Sequence, residues 1–352
     1  MKKSKLVAIL AATTVAASLA LVPAATAATK TKACLALDTG GVDDKSFNAA
    51  SWAGAQAIAK ANKNVTVSYL PAASGADYAP NIKKFVDQKC NVIIGVGFAI
   101  SGAIVASAKA NPNVKYAVVD DAALDCNADY SVCNPVKNVK GLTFKTQESS
   151  FLAGYAAAAF STKGVVATYG GAPYPTVTAF MDGFAQGVYY YNQVKKKGVR
   201  VLGWNRDTKN GEFVGDFANT SKALQISKNF EQAGADVIFP VAGGLGGATA
   251  GNSLTSKKSV VIWVDTDGVK AAPQYRKVLL TSVVKGVDTS VQAVILDQAN
   301  GKFSSTGYFG NLKNKGTYIA PYYDLIRRVP TALRTEVTKL GNDIRNGKVS
   351  AK

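Results

Sequence analysis

Eleven consecutive residues, Asp38-Thr39-Gly40-Gly41-Val42-Asp43-Asp44-Lys45-Ser46-Phe47-Asn48, bring together three carboxylates, two hydroxyls, a carboxamide and an aromatic ring. Carboxylates and amides supply hydrogen-bond acceptors and donors for a polar ligand, and an aromatic ring offers a face to a flat one. The paired glycines permit a tight turn. Asp44 and Ser46 suit the N-cap of a following helix, which places Phe47 and Asn48 in its first turn. Similar groups recur after other apolar runs. They are Gly97 and Phe98, Asp120 with Asp121, Trp204 with Phe213 and Asp216 beyond it, Gly243 and Gly244, Asp265 and Asp267, and Lys285 after Thr281-Ser282.

The chemistry open to these groups is binding rather than catalysis. The chain has no histidine, which removes Ser-His-Asp and Cys-His nucleophile systems and the commonest metal ligand. No glycine string ends in Gly-Lys-Ser/Thr or has dinucleotide-fingerprint spacing, so phosphate is not the expected ligand, and neither a cofactor nor a metal is expected. A carboxylate accepts two hydrogen bonds from vicinal hydroxyls. Asp265 or Asp267 with Lys285 suits a ribose, while Asp and Asn side chains suit a heterocycle edge and Phe rings its faces. The set fits a sugar bearing a flat base.

Elements must bring these loops together. Short apolar runs at 33–37, 65–70, 92–96, 116–119, 141–144, 164–168, 199–203, 237–241, 260–264 and 278–282 alternate with segments of helical period. Such alternation predicts βαβ units and parallel sheets. Ten strands exceed one open sheet with short connections, so the fold class is α/β with two doubly wound parallel-sheet lobes and a hinge. The expected division is 33–145 plus 282–308 for one lobe and 146–281 plus 309–352 for the other, with the C-terminal stretch 326–347 as a basic, solvent-facing helix. In open α/β sheets ligands bind beyond the carboxyl ends of the strands, so the ligand cleft is expected between the lobes. Closure of the hinge on the ligand would exclude water.

Residues 1–27 read as an export signal: Lys2, Lys3 and Lys5, an apolar stretch from Leu6 to Val22, then Pro23 and Ala25-Thr26-Ala27. Cys34, the first cysteine, stands in a strand-like run and makes a poor lipidation site, so an exported protein without a lipid anchor is expected. In an oxidising compartment Cys126 and Cys133 would staple the short polar loop between them. Cys34 and Cys90 would pair if the strands they precede are parallel neighbours. The formal net charge is +18, but no aromatic-interleaved basic patch or nucleic-acid motif accompanies it, so nucleic acid is not an expected partner.

Taken in order and spacing, the 38–48 loop, Gly95-Val96-Gly97-Phe98-Ala99, Val119-Asp120-Asp121, Glu148-Ser149-Ser150-Phe151-Leu152-Ala153-Gly154-Tyr155, Val241-Ala242-Gly243-Gly244, Val264-Asp265-Thr266-Asp267 and Thr281-Ser282-Val283-Val284-Lys285 resemble the basic membrane protein family of ABC-transporter substrate-binding proteins. Its best-known type is the purine nucleoside receptor, and the resemblance covers essentially the whole chain beyond the signal. It implies a type I periplasmic-binding-protein fold, a monomer, a purine stacked between aromatic rings and delivery to an ABC permease. On that basis Phe47, Asn48 and Asp44 would meet the base with help from Asp120. Phe213 with Asp216 would supply the second ring, with Trp204 or Phe217 as alternatives, and Asp265, Gly243 and Lys285 would hold the ribose. Gly268 departs from the Gln that many relatives carry there. Two rival readings keep other outcomes open: the same fold binding a sugar, polyol or signalling molecule, and a nucleoside-acting enzyme built on the clustered aspartates.

Overall fold

The computed structural model describes residues 30–351; the expected signal segment lies outside the described residues. Two six-stranded sheets organise the chain. The first contains β1 (Thr31–Leu37), β2 (Val65–Leu70), β3 (Val92–Val96), β4 (Lys115–Val119), β5 (Val139–Phe144) and, from late in the sequence, β11 (Tyr308–Gly310). Its order is β11-β5-β4-β3-β1-β2, and every pair is parallel. The second contains β6 (Val165–Gly170), β7 (Arg200–Leu202), β8 (Val237–Val241), β9 (Val260–Asp265), β10 (Leu279–Lys285) and β12 (Thr317–Ile319). Its order is β12-β10-β9-β8-β6-β7, with β12 alone antiparallel to its neighbour.

The central strands show no polar alternation because crossover helices cover both faces of a parallel sheet. Every residue of β3 and of β9 is buried. On the first sheet Leu35, Ile94 and Val119 face α1 (Phe47–Ala61) and α8 (Val287–Ala299), while Cys34, Ile93 and Val118 face α2 (Tyr78–Asp87) and α3 (Ser101–Ala110). On the second sheet α4 (Thr146–Phe160), α5 (Pro175–Lys195) and α9 (Thr331–Arg345) cover one face. The other is covered by α6 (Thr220–Gln232) and α7 (Gly246–Ser256). Helices α4 and α5 touch backbone to backbone: a Cβ on Gly154 would lie 2.0 Å from the Phe184 carbonyl oxygen, and one on Gly187 2.0 Å from that of Phe151. Only glycine permits that approach.

Three crossings join the sheets. The first lies between Phe144 and Thr146. At the second, β10 stays in register with β9 and β12 through Val284 and Lys285, so the chain crosses at Gly286 rather than at 282. The third follows Gly310, because β11 pairs with β5 up to that residue, not 308. In both cases apolar or paired residues continue the strand past the expected end. The C-terminal stretch is also divided. A 3-10 turn at Tyr323–Arg328 precedes α9, and Pro330 separates the two. Helix α9 is not wholly solvent-facing: Leu333, Val337, Leu340 and Ile344 are buried in the core that α4 and α5 share.

Both expected cysteine pairs are formed. Cys126 and Cys133 close a small antiparallel hairpin, Leu124–Cys126 with Cys133–Pro135, at a Cα–Cα distance of 4.0 Å. Cys34 in β1 and Cys90 just before β3 join neighbouring parallel strands at 6.1 Å.

Candidate functional site

In both sheets the strand order reverses once: between β1 and β3 in the first, between β6 and β8 in the second. At such a reversal the loops beyond the strand ends part and leave a crevice. The two crevices face each other across one shared cavity, lined by loops from both sheets. The first sheet contributes Asp38, Thr39 and Gly40 after β1, Gly97 and Phe98 after β3, Asp120 after β4, and Asp44, Phe47 and Asn48 around the start of α1. The second contributes Gly243 and Gly244 after β8, Val264 and Asp265 at the end of β9, Lys285 at the end of β10, and Phe217.

Lys285 is the electrostatic centre. Its side chain is 3% exposed, and its ammonium lies 2.7 Å from Asp120 Oδ2 and 3.7 Å from Asp265 Oδ1. It also sits 5.1 Å from the ring centroid of Phe47 and 4.9 Å from that of Phe180, within cation–π range. Asp120 and Asp265 both hold left-handed backbone, at φ +73° and +65°. Asp tolerates that region better than most residues, and the turn directs both carboxylates toward the lysine. Burial nevertheless pushes the Asp120 carboxyl above its usual range, against the lowering influence of Lys285.

Asp44 ties the loop to the helix. Its carboxylate accepts from the backbone N–H groups of Ser46, Asn48 and Ala49 at 2.8–2.9 Å, so Asp44 satisfies the orphan donors at the start of α1. Desolvation still raises its carboxyl to about 6. Asp38 accepts from the hydroxyl of Tyr78 and, at 2.7 Å, from the Thr39 N–H; burial pushes its pKa up as well. Gly97 is obligatory beside it, because a Cβ there would lie 2.4 Å from Asp38 Oδ2. Asn48 donates from Nδ2 to the carbonyls of Asp38 and Thr39, while its buried Oδ1 has no protein partner.

Several expected site residues do other work. Ser46, expected as a cap and a ligand residue, makes no cap bond and does not line the cavity. Its hydroxyl crosses to the other sheet, donating to Asp265 Oδ2 at 2.9 Å and the Val264 carbonyl at 3.1 Å. Trp204 is core, 5% exposed, with Nε1 donating to Asp182. Phe213 lies edge-on to Trp204 and against Gly170. Asp216 caps the approach to α6 by accepting from the Ala218 and Asn219 amides. Phe217, the alternative ring, is the one that lines the cavity. Asp267 accepts from the Tyr323 hydroxyl and pairs with Lys270 at 3.3 Å. Gly268 sits where a Cβ would come within 2.5 Å of the Trp263 ring. Tyr174, Thr176, Val177 and Phe180 also line the cavity and were not foreseen. They follow β6 through Gly170-Gly171-Ala172-Pro173, and Pro175 opens α5 at its first turn; that glycine–proline turn was the available signal.

The lobes touch around this cavity. Besides Ser46, the Lys45 carbonyl accepts from Thr266 Oγ1 at 2.8 Å and Trp263 Nε1 at 3.3 Å, and Lys285–Asp120 joins the two sheets. Two α/β lobes connected by three strands of chain, with polar loops closed over one cavity, define a type I periplasmic-binding-protein architecture. Solved structures agree: a solute-binding protein of an ABC transporter system from Aeropyrum pernix K1 matches with a TM-score of 0.78 at 21% identity, over 91% of this chain and 92% of that one. Residues 31–349 match the family of PnrA-like ABC transporter substrate-binding proteins, and the chain belongs to that family, which comprises substrate-binding proteins rather than enzymes. Among its relatives, the ABC transporter nucleoside-binding protein BmpA of Lactococcus lactis is 28% identical over 92% of this chain and 89% of its own length. The CD4+ T-cell-stimulating antigen of Listeria monocytogenes is 31% identical over 76% and 73%. Among the described residues no helix is long and apolar enough to cross a membrane, and no group of acidic and cysteine side chains is arranged to hold a metal.

Proposed function

We propose that the protein is an exported receptor that closes on a purine nucleoside and presents it to an ABC permease. The observation that carries this reading is a single cavity wall that combines aromatic faces with polar groups from both lobes. Asn48, Asp38 and Asp44 line it together with Phe47, Phe98 and Phe217. Asn48 Oδ1, buried and unpartnered, waits for a donor such as a ring N–H or an exocyclic amine; a buried acceptor left unmade costs about 1–3 kcal/mol. The flat rings suit base stacking. Asp265 and Asp120 flank Lys285, beside the Phe47 ring, a combination of acceptors and one donor that suits vicinal ribose hydroxyls.

The relative described as nucleoside-binding supports the same ligand class. A neutral nucleoside fits the wall better than a nucleotide, since Asp38, Asp44, Asp120 and Asp265 would repel phosphate. Both sheets contribute polar groups to the wall, which supports closure on the ligand: the closed arrangement is favoured to the extent that the ligand binds it better than the open one. Isothermal titration with adenosine, guanosine, inosine and ribose tests the assignment. Heat with at least one nucleoside and none with ribose is expected; heat with ribose alone would move the ligand class to sugars.

A further inference from the structure

Charge is shared unequally between the two lobes. Residues 30–145 and 287–310 carry 14 Lys and Arg against 11 Asp and Glu, a net +3, whereas residues 146–286 and 311–351 carry 23 against 12, a net +11. Part of that excess gathers at one end of the second lobe. Helix α5 ends at Lys195, and Lys196 and Lys197 follow it, all three exposed. Lys195 Nζ reaches Glu336 of α9 at 2.7 Å, and the Arg328 guanidinium lies 4.8 Å from the ring of Phe160 at the end of α4, with Arg327 beside it. Lys163 follows α4, and the Arg200 N–H donates to the Gly164 carbonyl at 2.9 Å, so these two cations share the same sheet edge.

The carboxylates among them are already engaged. Glu336 accepts from Lys195 and from the Tyr155 hydroxyl. Asp236 accepts from Ser161 and Thr162 and from the Lys163 amide. Exposed apolar side chains interrupt the cations: Val194 is 48% exposed beside Lys195 and Ile326 41% exposed beside Arg327. The patch is remote from the cavity. Helix α5 begins at the cavity wall and runs 21 residues, about 30 Å at 1.5 Å per residue, before it reaches the lysines.

We infer that this end of the second lobe is a docking surface for an anionic phospholipid bilayer, holding the receptor beside a membrane while the cleft stays open to solvent. Clustered cations without free counter-charges match a negative headgroup layer, and scattered apolar side chains among them suit the interface better than they suit bulk water. A membrane, rather than a soluble polyanion, is the partner those exposed valine and isoleucine side chains fit.

The test uses processed protein recovered from an exporting host and co-sedimentation with vesicles of phosphatidylglycerol and phosphatidylcholine or of phosphatidylcholine alone. Binding to the anionic vesicles only is expected, and it should fall as salt rises from about 0.1 M to about 1 M, where the screening length drops from about 10 Å to about 3 Å. Substituting Lys196→Glu, Lys197→Glu, Arg200→Glu and Arg327→Glu together, all four exposed and without an ion pair within 4 Å among the described residues, should lower the partition coefficient at least tenfold. The same number of reversals on the first lobe, Lys60→Glu, Lys63→Glu, Lys84→Glu and Lys89→Glu, changes net charge equally and should leave most binding intact. Unaltered circular dichroism and thermal midpoint in both variants keep the comparison valid. Equal loss in the two variants, binding to neutral vesicles, or binding to inorganic polyphosphate without binding to vesicles would each overturn the inference.

Discussion

Replacing Lys285 with Met tests the electrostatic centre of the cavity most directly. Met fills nearly the same volume, so packing changes little, but the ammonium between Asp120 and Asp265 disappears. At an effective dielectric of about 20, attraction across 2.7 and 3.7 Å amounts to about 6 and about 4 kcal/mol gross. The cost of desolvating three buried charges offsets most of that in the native protein. The variant keeps the desolvation cost of the carboxylates and loses the attraction, and breaking a buried pair in this way costs about 3–5 kcal/mol. The loss must depend on pH. Burial already raises the Asp120 carboxyl while Lys285 lowers it, so Lys285→Met raises it further. The native variant then retains a proton that the unfolded chain, titrating near 3.8, has released. Stability therefore falls as pH rises from that value through the raised native pKa, and the penalty is complete only above it. Urea unfolding at about pH 7.5 and about pH 4.5 should show the full loss at the higher pH and a clearly smaller one at the lower. A loss below about 1 kcal/mol at both, or one independent of pH, would mean that Lys285 is not balancing the two aspartates.

Phe47→Ala and Phe217→Ala should each weaken nucleoside binding by about 1–3 kcal/mol through loss of a stacking face, read by isothermal titration; unchanged affinity in both would place the base elsewhere. Asp265→Ala should cost about 1.5–3 kcal/mol through lost charge-assisted hydrogen bonds and should narrow the preference for ribonucleosides over their deoxy forms. The double change Cys34→Ser with Cys90→Ser opens a loop closed over a separation of 56 residues and should lower unfolding free energy by about 4 kcal/mol, against about 2 kcal/mol for the shorter Cys126–Cys133 loop. Gly187→Ala forces α4 and α5 apart and should destabilise the protein by about 1–3 kcal/mol, visible as a lower thermal midpoint with little change in affinity.

The two lobes could be read from the chain because their signal is local. Residues 92–96 and 260–264 are continuous apolar runs, and each is followed by a loop of glycine and polar residues. The 38–48 loop announced most of one cavity wall for the same reason, since Asp38, Asp44, Phe47 and Asn48 lie within one turn and the start of one helix. The opposite wall was harder to read. Phe213 and Phe217 stand four residues apart in an irregular segment without periodicity, and it is distant contacts, the backbone bridge from Phe213 to Gly170 among them, that set which ring turns inward. Ser46 and Asp267 have the right chemistry for a ligand, yet their partners, Asp265 and Tyr323, lie far away in sequence.

Sequence alone determined the α/β class, the doubling of the lobe and the polar character of the loops, because periodicity, turn residues and the absence of histidine need no knowledge of distant contacts. Tertiary structure decided which polar residues face the cavity and which serve as caps, latches or core. That division depends on where two separately folded sheets meet: Lys285 becomes a buried counter-charge only when Asp120, 165 residues away, is brought to 2.7 Å.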